Sequence, residues 1–551
     1  MLKTLRMAAA LALLLAPAAA VAQQTTPPAD PTPVAPAATT MQVPESPDEQ
    51  DPRALRLSLD EAIRATVENN LAVRLQQYDY LMSGQTARAS YGLFDIYTFA
   101  NIGIGDRQPA AEDAPNIENL EGGVGLRQNL PTGGSYSLRF DNTEVTVAEP
   151  AYSSDLGFNL NQPLLRDFGV DVNRRFINIA RNNLGMSEES FRNTLLIGVL
   201  AAEQAYYDLI FQRQNLEVRR LSLSLASDQE RITRIRIDVG ASAPLDILEP
   251  RVAIATREEE VIVAEARIRD AEDRLRRLMN LPASEWDRPI IPTDTIEFEP
   301  VDVDVEASVA RAFELRPEIR QAGLGIENRE IEYLYARNQV LPELDFNVNY
   351  GVAGLGGTQI IRDPVTNEPI GIVGGAFSDA IDQVFGFTYP TWSTSLTVGV
   401  PIRNISARAE RRRAELGLER AVLDKNDIEQ EIAIQVRQAV RDIRTSARQI
   451  TASQAARDAA EQNLEAERRR FENGMSTNFD VLRVQQALAD SQSREIAAVV
   501  AYNQALAAYH RAVGDLLPLR GIVVESRREE FDLPRSRFED VEWLTYRHWA
   551  D

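Results

Sequence analysis

Few residues of this chain have types and spacings suited to catalysis or to metal binding. The 551-residue sequence has no cysteine, which excludes disulfides, thiolate metal ligands and cysteine nucleophiles. Its two histidines, His510 and His548, are far apart, and an isolated helical histidine is usually a packing or surface residue. No Gly-x-Ser-x-Gly motif occurs, and the glycine-rich runs at 103–105 and 351–357 lack a phosphate-binding fingerprint. We therefore expect no catalytic site, no metal site and no cofactor.

The charge of the chain also restricts its partners. Acidic residues number 82 against 59 lysines and arginines, which gives a formal net charge of -23. Binding of phosphate backbones needs a basic surface, so a nucleic-acid partner is not expected. The acidic excess favours cations at a surface or in a pore.

The N-terminus has the pattern of a secretory signal peptide over residues 1–22. Lys3 and Arg6 precede an apolar run at 7–15, and the small residues at 20–22 form a cleavage pattern. Residues 23–56 are rich in proline, alanine and threonine and are interpreted as a disordered linker. The apolar run is too short to span a bilayer, and we expect no spanning helix elsewhere. A secreted chain can still enter a membrane as a β-barrel.

Two aspartates recur at equivalent positions of an internal repeat. The run V-G-A-S-A-P-L-D-I-L at 239–248 matches N-G-M-S-T-N-F-D-V-L at 473–482, at an offset of 234 residues. The matched pairs are Gly240 and Gly474, Ser242 and Ser476, and Asp246 and Asp480. Segment 60–74 matches 306–320 at an offset of about 246 residues. The chain is therefore a tandem duplication of repeats 57–282 and 305–518, with a connector at 283–304 and an extension at 519–551.

Each repeat contains an unusually long helix. Apolar residues share one heptad position from Leu195 to Ile237, interrupted only by Glu230, and an equivalent stripe from Val436 to Phe471 is interrupted by Arg457. A third stripe in the last helix is interrupted by Glu495. A helix over 170–238 would be about 100 Å long.

Glycine ends each long helix, at Gly240 and Gly474, because it adopts the left-handed turn beyond a helix end without strain. The following helices are predicted to begin near Pro244 and Asn478, where Asn478 is a candidate cap. Each repeat therefore contains an antiparallel helical hairpin with a tight tip.

Strands are predicted between the helices by period-two alternation. The clearest segments are 97–105, 156–162, 344–350 and 393–400, while 122–130 and 134–140 are candidates for an additional hairpin. Segments 106–121 and 351–390 are interpreted as exposed loops. Four strands cannot close a barrel, and lipid does not tolerate open sheet edges, so in a membrane several chains must contribute strands.

This order of elements, given twice behind a signal peptide, resembles the TolC family of outer-membrane efflux proteins. The resemblance covers 57–518. Besides the two tip motifs it includes L-D-E-A-I at 59–63, L-N-Q-P-L-L at 160–165, R-P-E-I at 316–319 and Y-H-R-A-V-G-D-L-L at 509–517.

The resemblance implies an α+β membrane protein of the outer membrane. Three chains would share one barrel of twelve strands, four from each, continued by a coiled-coil helical barrel across the periplasm. The tips would dock a periplasmic adaptor, and an inner-membrane transporter of the ABC or RND type would supply the energy. The chain would be a passive conduit for efflux or type I secretion. The sequence does not identify the cargo.

Transferred by position, the resemblance assigns two groups of site residues. The adaptor-facing tips would contain Gly240, Ser242, Gly474 and Ser476. The inner mouth would contain Asp246, Asp480 and Arg483, with three symmetry-related Asp480 carboxylates attracting cations. Arg483 departs from an expected acidic position and could pair with Asp480 at i, i+3. The alternative for both aspartates is helix capping or a local ion pair.

Two alternative functions stay open at this point. A soluble periplasmic coiled-coil structural or adaptor protein would account for the duplicated helices but not for the amphipathic strands. An enzyme decorated with helical arms would need a catalytic site that the sequence does not offer.

Overall fold

The long helices and the strands are present in a computed structural model of the chain, which describes residues 52–108, 116–147, 150–366, 368–526, 531 and 533. The predicted signal peptide and the linker up to residue 51 lie outside the described residues. Most of the predicted extension beyond residue 526 also lies outside them.

Helices form the larger part of the described chain, and they occur in two successive groups. The first group is α1 (Leu59–Asn69), α2 (Leu71–Ser90), α3 (Val170–Asn173), α4 (Arg175–Asp238) and α5 (Leu248–Met279). The second group is α6 (Val305–Leu315), α7 (Pro317–Asn338), α8 (Phe377–Phe385), α9 (Ile405–Glu472), α10 (Asn478–Val513) and α11 (Leu516–Leu519).

The strands of the described chain form one large sheet and two small ones. They are β1 (Leu55–Leu57), β2 (Tyr97–Arg107), β3 (Ile117–Asn129), β4 (Ser135–Thr146), β5 (Pro150–Pro163), β6 (Ile290–Pro292), β7 (Glu343–Gly357), β8 (Gln359–Arg362), β9 (Pro369–Val373) and β10 (Pro390–Gly399). The large sheet has the order β10-β7-β5-β4-β3-β2, and all its neighbours are antiparallel. Strand β1 pairs with β6 in parallel, and β8 pairs with β9.

The four-strand expectation is wrong for this chain, because the large sheet has six strands in the described residues. The candidate hairpin at 122–140 is present as β3 and β4. The predicted loop at 106–121 contributes the end of β2 and the start of β3. The predicted loop at 351–390 contains the end of β7, the β8–β9 hairpin and α8. Segment 106–121 has the acidic composition of a loop, whereas glycines replace apolar residues in 351–390 and weaken the alternation there.

The two long helices have the lengths that the heptads predict. Helix α4 has 64 residues and α9 has 68, which corresponds to about 100 Å each at 1.5 Å per residue. Their stripes are buried at Leu195, Ala202, Leu209 and Leu216 in α4, and at Val436, Ile443, Ile450, Leu464 and Phe471 in α9. Leu209 and Leu216 lie in the seam between α4 and α5, whereas Leu195 and Ala202 pack against α1, α2 and α11. The stripe of α9 lies in the seam with α10.

Each interruption of a stripe forms an ion pair between the two helices of a hairpin. Glu230 of α4 lies 2.6 Å from Arg234 and 3.5 Å from Arg251 of α5. Arg457 of α9 lies 3.3 Å from Glu495 of α10, which is the interruption of the third stripe. Arg234 and Arg251 hold the pKa of the Glu230 carboxyl below its ordinary value. The charged positions are thus compensated within each coiled coil rather than left unpaired.

Helix α4 corrects the expectation that no segment beyond the leader could span a bilayer. By length and composition it contains a window apolar enough to do so, but 44% of that window is buried in the structure. Its apolar face packs against the neighbouring helices, as in the core helix of a soluble domain.

One buried tyrosine in each hairpin attaches the connector to the long helices. The Tyr206 hydroxyl of α4 donates to Asp294 Oδ2 at 2.7 Å, and the Tyr502 hydroxyl of α10 donates to the Glu299 carbonyl at 2.6 Å. Arg316, the first residue of the R-P-E-I motif, is buried and donates to Glu318 and to the Ala512 carbonyl of α10. These bonds fix the start of the second repeat against its long helices.

Helix α8 packs against the large sheet at the end that is remote from the long helices. Phe377 contacts the ring of Tyr152 in β5, and Phe385 contacts the ring of Phe140 in β4. Glycines at 354 and 356 in β7 allow this approach, since an added Cβ at Gly354 would lie 1.9 Å from the Ala380 carbonyl oxygen. The missing side chains of β7 therefore form the seat of α8.

We predict that Gly354→Val displaces α8 from the sheet, because the Ala380 carbonyl belongs to rigid helix backbone. Hydrogen–deuterium exchange of residues 377–385 should accelerate markedly. The matched control is Gly157→Val in β5, where an added Cβ meets nothing within 4 Å. Unchanged exchange in the Gly354 variant would contradict this account of the seat.

Candidate functional site

The large sheet has one apolar and one polar face. Residues directly opposite each other in an antiparallel pair share a face, and in all five pairings even-numbered residues face even-numbered ones. The even face carries Ile102, Ile104, Leu120, Val124, Leu126, Leu138, Phe140, Leu156, Phe158, Leu160, Phe346, Val348, Tyr350, Val352, Trp392, Leu396 and Val398. One side of the sheet is therefore suited to an apolar environment over all six strands.

The odd face is mainly polar, with asparagine, serine, threonine or charged side chains in each of the six strands. Asn161 of β5 donates to Asn347 of β7 at 2.7 Å, and Arg139 lies 3.0 Å from Asp141. Two aromatic rings on this face are covered by guanidinium groups, with Arg127 over Tyr97 at 4.7 Å and Arg139 over Phe99 at 5.6 Å. This face can line a water-filled space.

The two helical tips have the same backbone design, which the repeat predicts. Gly240 has φ +72° and Gly474 has φ +73°, the left-handed values that favour glycine. The N–H that follows each glycine closes the helix end, from Ala241 to the Arg236 carbonyl at 2.7 Å and from Met475 to the Arg470 carbonyl at 2.8 Å. Both long helices thus end in the same sharp turn.

The predicted mouth residues make local contacts at the tips. Asp246 accepts the N–H of Ala243 at 3.0 Å, which caps the short turn Pro244–Ile247. Asp480 accepts the Thr477 hydroxyl at 2.7 Å, and Arg483 Nη2 lies 3.5 Å from Asp480 Oδ1, the i, i+3 pair expected from the sequence. Thr477 and Arg483 hold the pKa of Asp480 below its ordinary value of 3.8.

The expectation that Asn478 caps α10 is wrong, because Thr477 occupies the cap position and its side chain accepts the Asp480 N–H. Asn478 is buried, and its Oδ1 accepts from Gln229 Nε2 at 2.8 Å and from Thr233 Oγ1 at 2.9 Å, both in α4. It therefore joins the tip of the second repeat to the long helix of the first.

Two arginines complete this junction between the repeats. Arg236 of α4 donates to the Phe471 carbonyl of α9 at 3.0 Å and stacks 4.6 Å from the Phe471 ring centroid. Buried Arg257 of α5 donates to the Ser222 carbonyl at 2.7 Å and to the Leu482 carbonyl of α10 at 3.1 Å. Burial lowers the pKa of Arg257 from its ordinary value. The four helices at the tips are thus hydrogen-bonded into one assembly.

Exposed apolar side chains surround the tip glycines, and the sequence analysis did not assign them to the site. Their exposed fractions range from 60% to 74%, and they are Val239, Leu245, Met475 and Phe479. Each stands next to or between the repeated glycine and aspartate, which is the signal that could have identified them. We call these four residues the tip patch. Clustered apolar exposure of this kind marks an interaction surface. Ser242 and Ser476 are half-buried, and the Ser476 hydroxyl donates to Glu467.

We predict that Gly474→Ala lowers the melting temperature of the purified protein, because a Cβ in the left-handed region costs about 1–2 kcal/mol. Gly417→Ala is the matched control, since Gly417 lies inside α9 with nothing within 4 Å of an added Cβ. Alanine there should leave the melting temperature unchanged or raise it. Equal destabilisation by both substitutions would contradict the assigned role of Gly474.

Comparison with known proteins agrees with this arrangement. Residues 127–281 and 309–515, more than half of the chain, match the model of the family described as outer membrane efflux protein. No functionally curated protein matches the sequence. The two matched segments fall in the two repeats.

Solved structures share the fold at low identity. The transmembrane channel CusC aligns with a TM-score of 0.62 and 14% identity, over 84% of this chain and 94% of that one. The CmeC outer membrane channel of Campylobacter jejuni aligns with a TM-score of 0.61 and 14% identity, over 86% and 88% of the two chains. VceC, an outer membrane protein of Vibrio cholerae, gives 0.60 and 16%, over 83% and 96%.

These findings confirm the resemblance to TolC-like channels and the outer-membrane location, with the helical part in the periplasm. The duplicated helices, the two-faced sheet and the family match lead to one conclusion. The chain belongs to the outer membrane efflux protein family.

Proposed function

We propose that three copies of this chain form a passive outer-membrane conduit that docks a periplasmic adaptor at its helical tips. The conduit would belong to a tripartite efflux or type I secretion system and export small molecules or polypeptides. The observation that supports this most strongly is the two-faced sheet joined directly to helices of about 100 Å. A polar lumen surrounded by an apolar outer face is the design of a membrane barrel.

Assembly from several copies is supported by the open sheet. Strands β2 and β10 are its edges, and Ile102 and Trp392 on these edges are 80% and 75% exposed. In lipid, the unpaired backbone groups of both edges need partners. Further copies of the chain supply them, and three is the number that the family resemblance implies.

Docking at the tips is supported by the tip patch. Four apolar side chains stand exposed around Gly240 and Gly474, at the end of the helices that is farthest along the chain from the sheet. Apolar exposure in a periplasmic segment favours a protein partner. An adaptor bound there would connect the conduit to an inner-membrane transporter of the ABC or RND type, which supplies the energy.

The inner mouth is proposed to contain Asp246, Asp480 and Arg483. Asp246 caps a helical turn, and Asp480 accepts the Thr477 hydroxyl and pairs with Arg483. A ring of three Asp480 carboxylates would act in addition to these local contacts. Thr477 and Arg483 hold the pKa of Asp480 below its ordinary value, which favours the charged form that such a ring requires.

A soluble periplasmic coiled-coil protein is not supported. Such a protein would have no use for an apolar face that extends over six strands, and the family match places the chain among outer membrane proteins. An enzyme with helical arms has no support in the family, whose members are transport proteins.

We predict that a cysteine at the tip captures the adaptor in cells. The chain has no native cysteine, so Met475→Cys, at a 71% exposed position, gives one attachment point for a bifunctional reagent. Mass spectrometry of the membrane fraction should identify a periplasmic adaptor. Arg413→Cys is the control, an exposed position of α9 near the sheet, and it should not capture that adaptor. Equal capture from both positions would contradict docking at the tips.

We predict that the conduit prefers cations and that Asp480→Asn reduces this preference. Reversal potentials in a salt gradient across a planar bilayer measure it. A carboxyl group with a lowered pKa is charged above that pKa and neutral below it, so the preference should hold from about pH 8 to about pH 5 and decline only in stronger acid. Asp424→Asn in α9 is the control for a general charge effect. An unchanged reversal potential in the Asp480 variant would exclude the ring.

A further inference from the structure

The β3–β4 hairpin changes the size of the proposed barrel. We propose that each copy contributes six strands, so that three copies form a barrel of eighteen strands, closed where β2 of one copy pairs with β10 of the next. This inference rests on the proposed trimeric channel. It replaces the twelve-strand barrel that the resemblance implies.

The hairpin lies within the sheet and is not a surface loop. Strand β2 pairs with β3 along the whole length of β2, from Tyr97 opposite Arg127 to Arg107 opposite Ile117. Strand β4 pairs with β5 from Ser135 to Thr146 in the same way. The hairpin therefore separates β2 from β5 completely, and the ladder of backbone hydrogen bonds continues through it.

The hairpin also continues both faces of the sheet. Its even-numbered residues include Leu120, Val124, Leu126, Leu138 and Phe140, which continue the apolar face through the hairpin. Phe140 also contacts Phe385 of α8, which lies on the same face. A hairpin that projected into the lumen or into water would have no reason to keep this alternation. Its composition is that of a wall exposed to lipid on one side.

The turn of the hairpin is attached to the start of the long helix. The Thr132 carbonyl accepts the Gly169 N–H at 3.2 Å, and the Thr132 hydroxyl donates to Gln162 Oε1 at 2.8 Å. Gly133 has φ +96°, and a Cβ there would lie 2.1 Å from the Asp167 carbonyl oxygen. These contacts hold the turn of the hairpin beside the end of β5, where the chain leaves the sheet.

The two edges of the sheet are compatible with each other. With six strands and antiparallel neighbours throughout, the edges β2 and β10 run in opposite directions, so they can pair in an antiparallel ladder between copies. Their lengths of 11 and 10 residues match. On both edges the even-numbered residues form the apolar face, so the seam preserves the two-sided character of the wall.

One copy cannot satisfy these edges alone, because about eight strands are the minimum for a closed barrel. Three copies of six strands give eighteen. Since barrel diameter rises roughly linearly with strand number, the pore in the membrane would be about one and a half times as wide as with twelve strands. The membrane part would then be wider than the family pattern requires.

Engineered disulfides test the seam between copies, because the chain has no native cysteine that could compete with the introduced ones. Ile102→Cys in β2 is combined in turn with Trp392→Cys, Thr394→Cys and Leu396→Cys in β10, all on the even face. One or more of these pairs should give covalent species up to, and not beyond, three copies in the outer membrane. Ile102→Cys with Ser395→Cys is the control, since its side chains lie on opposite faces and should not crosslink.

A second pair of variants tests the place of the hairpin. Ala100→Cys with Val124→Cys joins residues that face each other in β2 and β3, and it should form a disulfide within one copy. Ala100→Cys with Phe158→Cys joins β2 to β5 and should not form one. A β2–β5 disulfide together with covalent trimers would overturn the eighteen-strand barrel and leave the trimeric channel intact. Covalent species larger than three copies would also overturn it. Absence of every covalent oligomer from a protein in the soluble fraction would contradict the proposed function itself.

Discussion

Backbone hydrogen bonding in lipid is the constraint on which the rest of this structure depends. A strand that enters a bilayer must have all its N–H and C=O groups paired, because no water is present to satisfy them. The sheet meets this requirement along four of its six strands, and it leaves one row of groups open on β2 and another on β10. The apolar face of the sheet indicates that these edges lie in lipid. The proposed oligomerisation therefore rests on the chemistry of the backbone as well as on the family relationship.

The same requirement explains how the sheet is connected to the helices. A strand that leaves the membrane must turn without exposing unpaired groups at the boundary. Here the turn at Thr132, the backbone at Asp167 and the side chain of Asn338 form one network, in which Asn338 Oδ1 accepts the Asp167 N–H at 2.8 Å. Beyond this boundary, heptad packing takes over from strand pairing, and the charged interruptions of the stripes are paired between the helices. The tips are joined by Arg236, Arg257 and Asn478, whose hydrogen bonds connect the hairpin of one repeat to that of the other.

The sequence was sufficient for the features that depend on local periodicity. The repeat offset located both tip glycines, and the heptads gave the long helices, because a seven-residue pattern has few other structural solutions. Strand extents were underestimated where glycine replaces an apolar residue, as at Gly354 and Gly356, since the reason for glycine there is α8, a helix distant in sequence. Asn478 was misassigned as a cap for a similar reason. Its partners, Gln229 and Thr233, belong to the other repeat, and no local pattern reveals them.

The tip patch was missed because its residues lie in and beside the short turns that join long helices, where no periodic pattern shows which side chains are exposed. Only the structure shows that Val239 and Met475 have no intramolecular cover. The number of strands in the large sheet also could not be predicted from the sequence. The hairpin was visible as two weakly alternating segments, but its place inside the wall depends on pairing with β2 and β5, which lie on either side of it in the chain.

The central claim is that the even face of the large sheet, outside the part that α8 covers, contacts lipid and that the odd face lines a water-filled lumen. Single cysteines placed one at a time at residues 156–161 of β5 test it most directly, with a charged, membrane-impermeant maleimide applied to outer-membrane preparations. The account predicts labelling of the odd positions, at Gly157, Asn159 and Asn161, and protection of the even positions, at Leu156, Phe158 and Leu160. Equal labelling of all six positions, or labelling of the even ones alone, would contradict it.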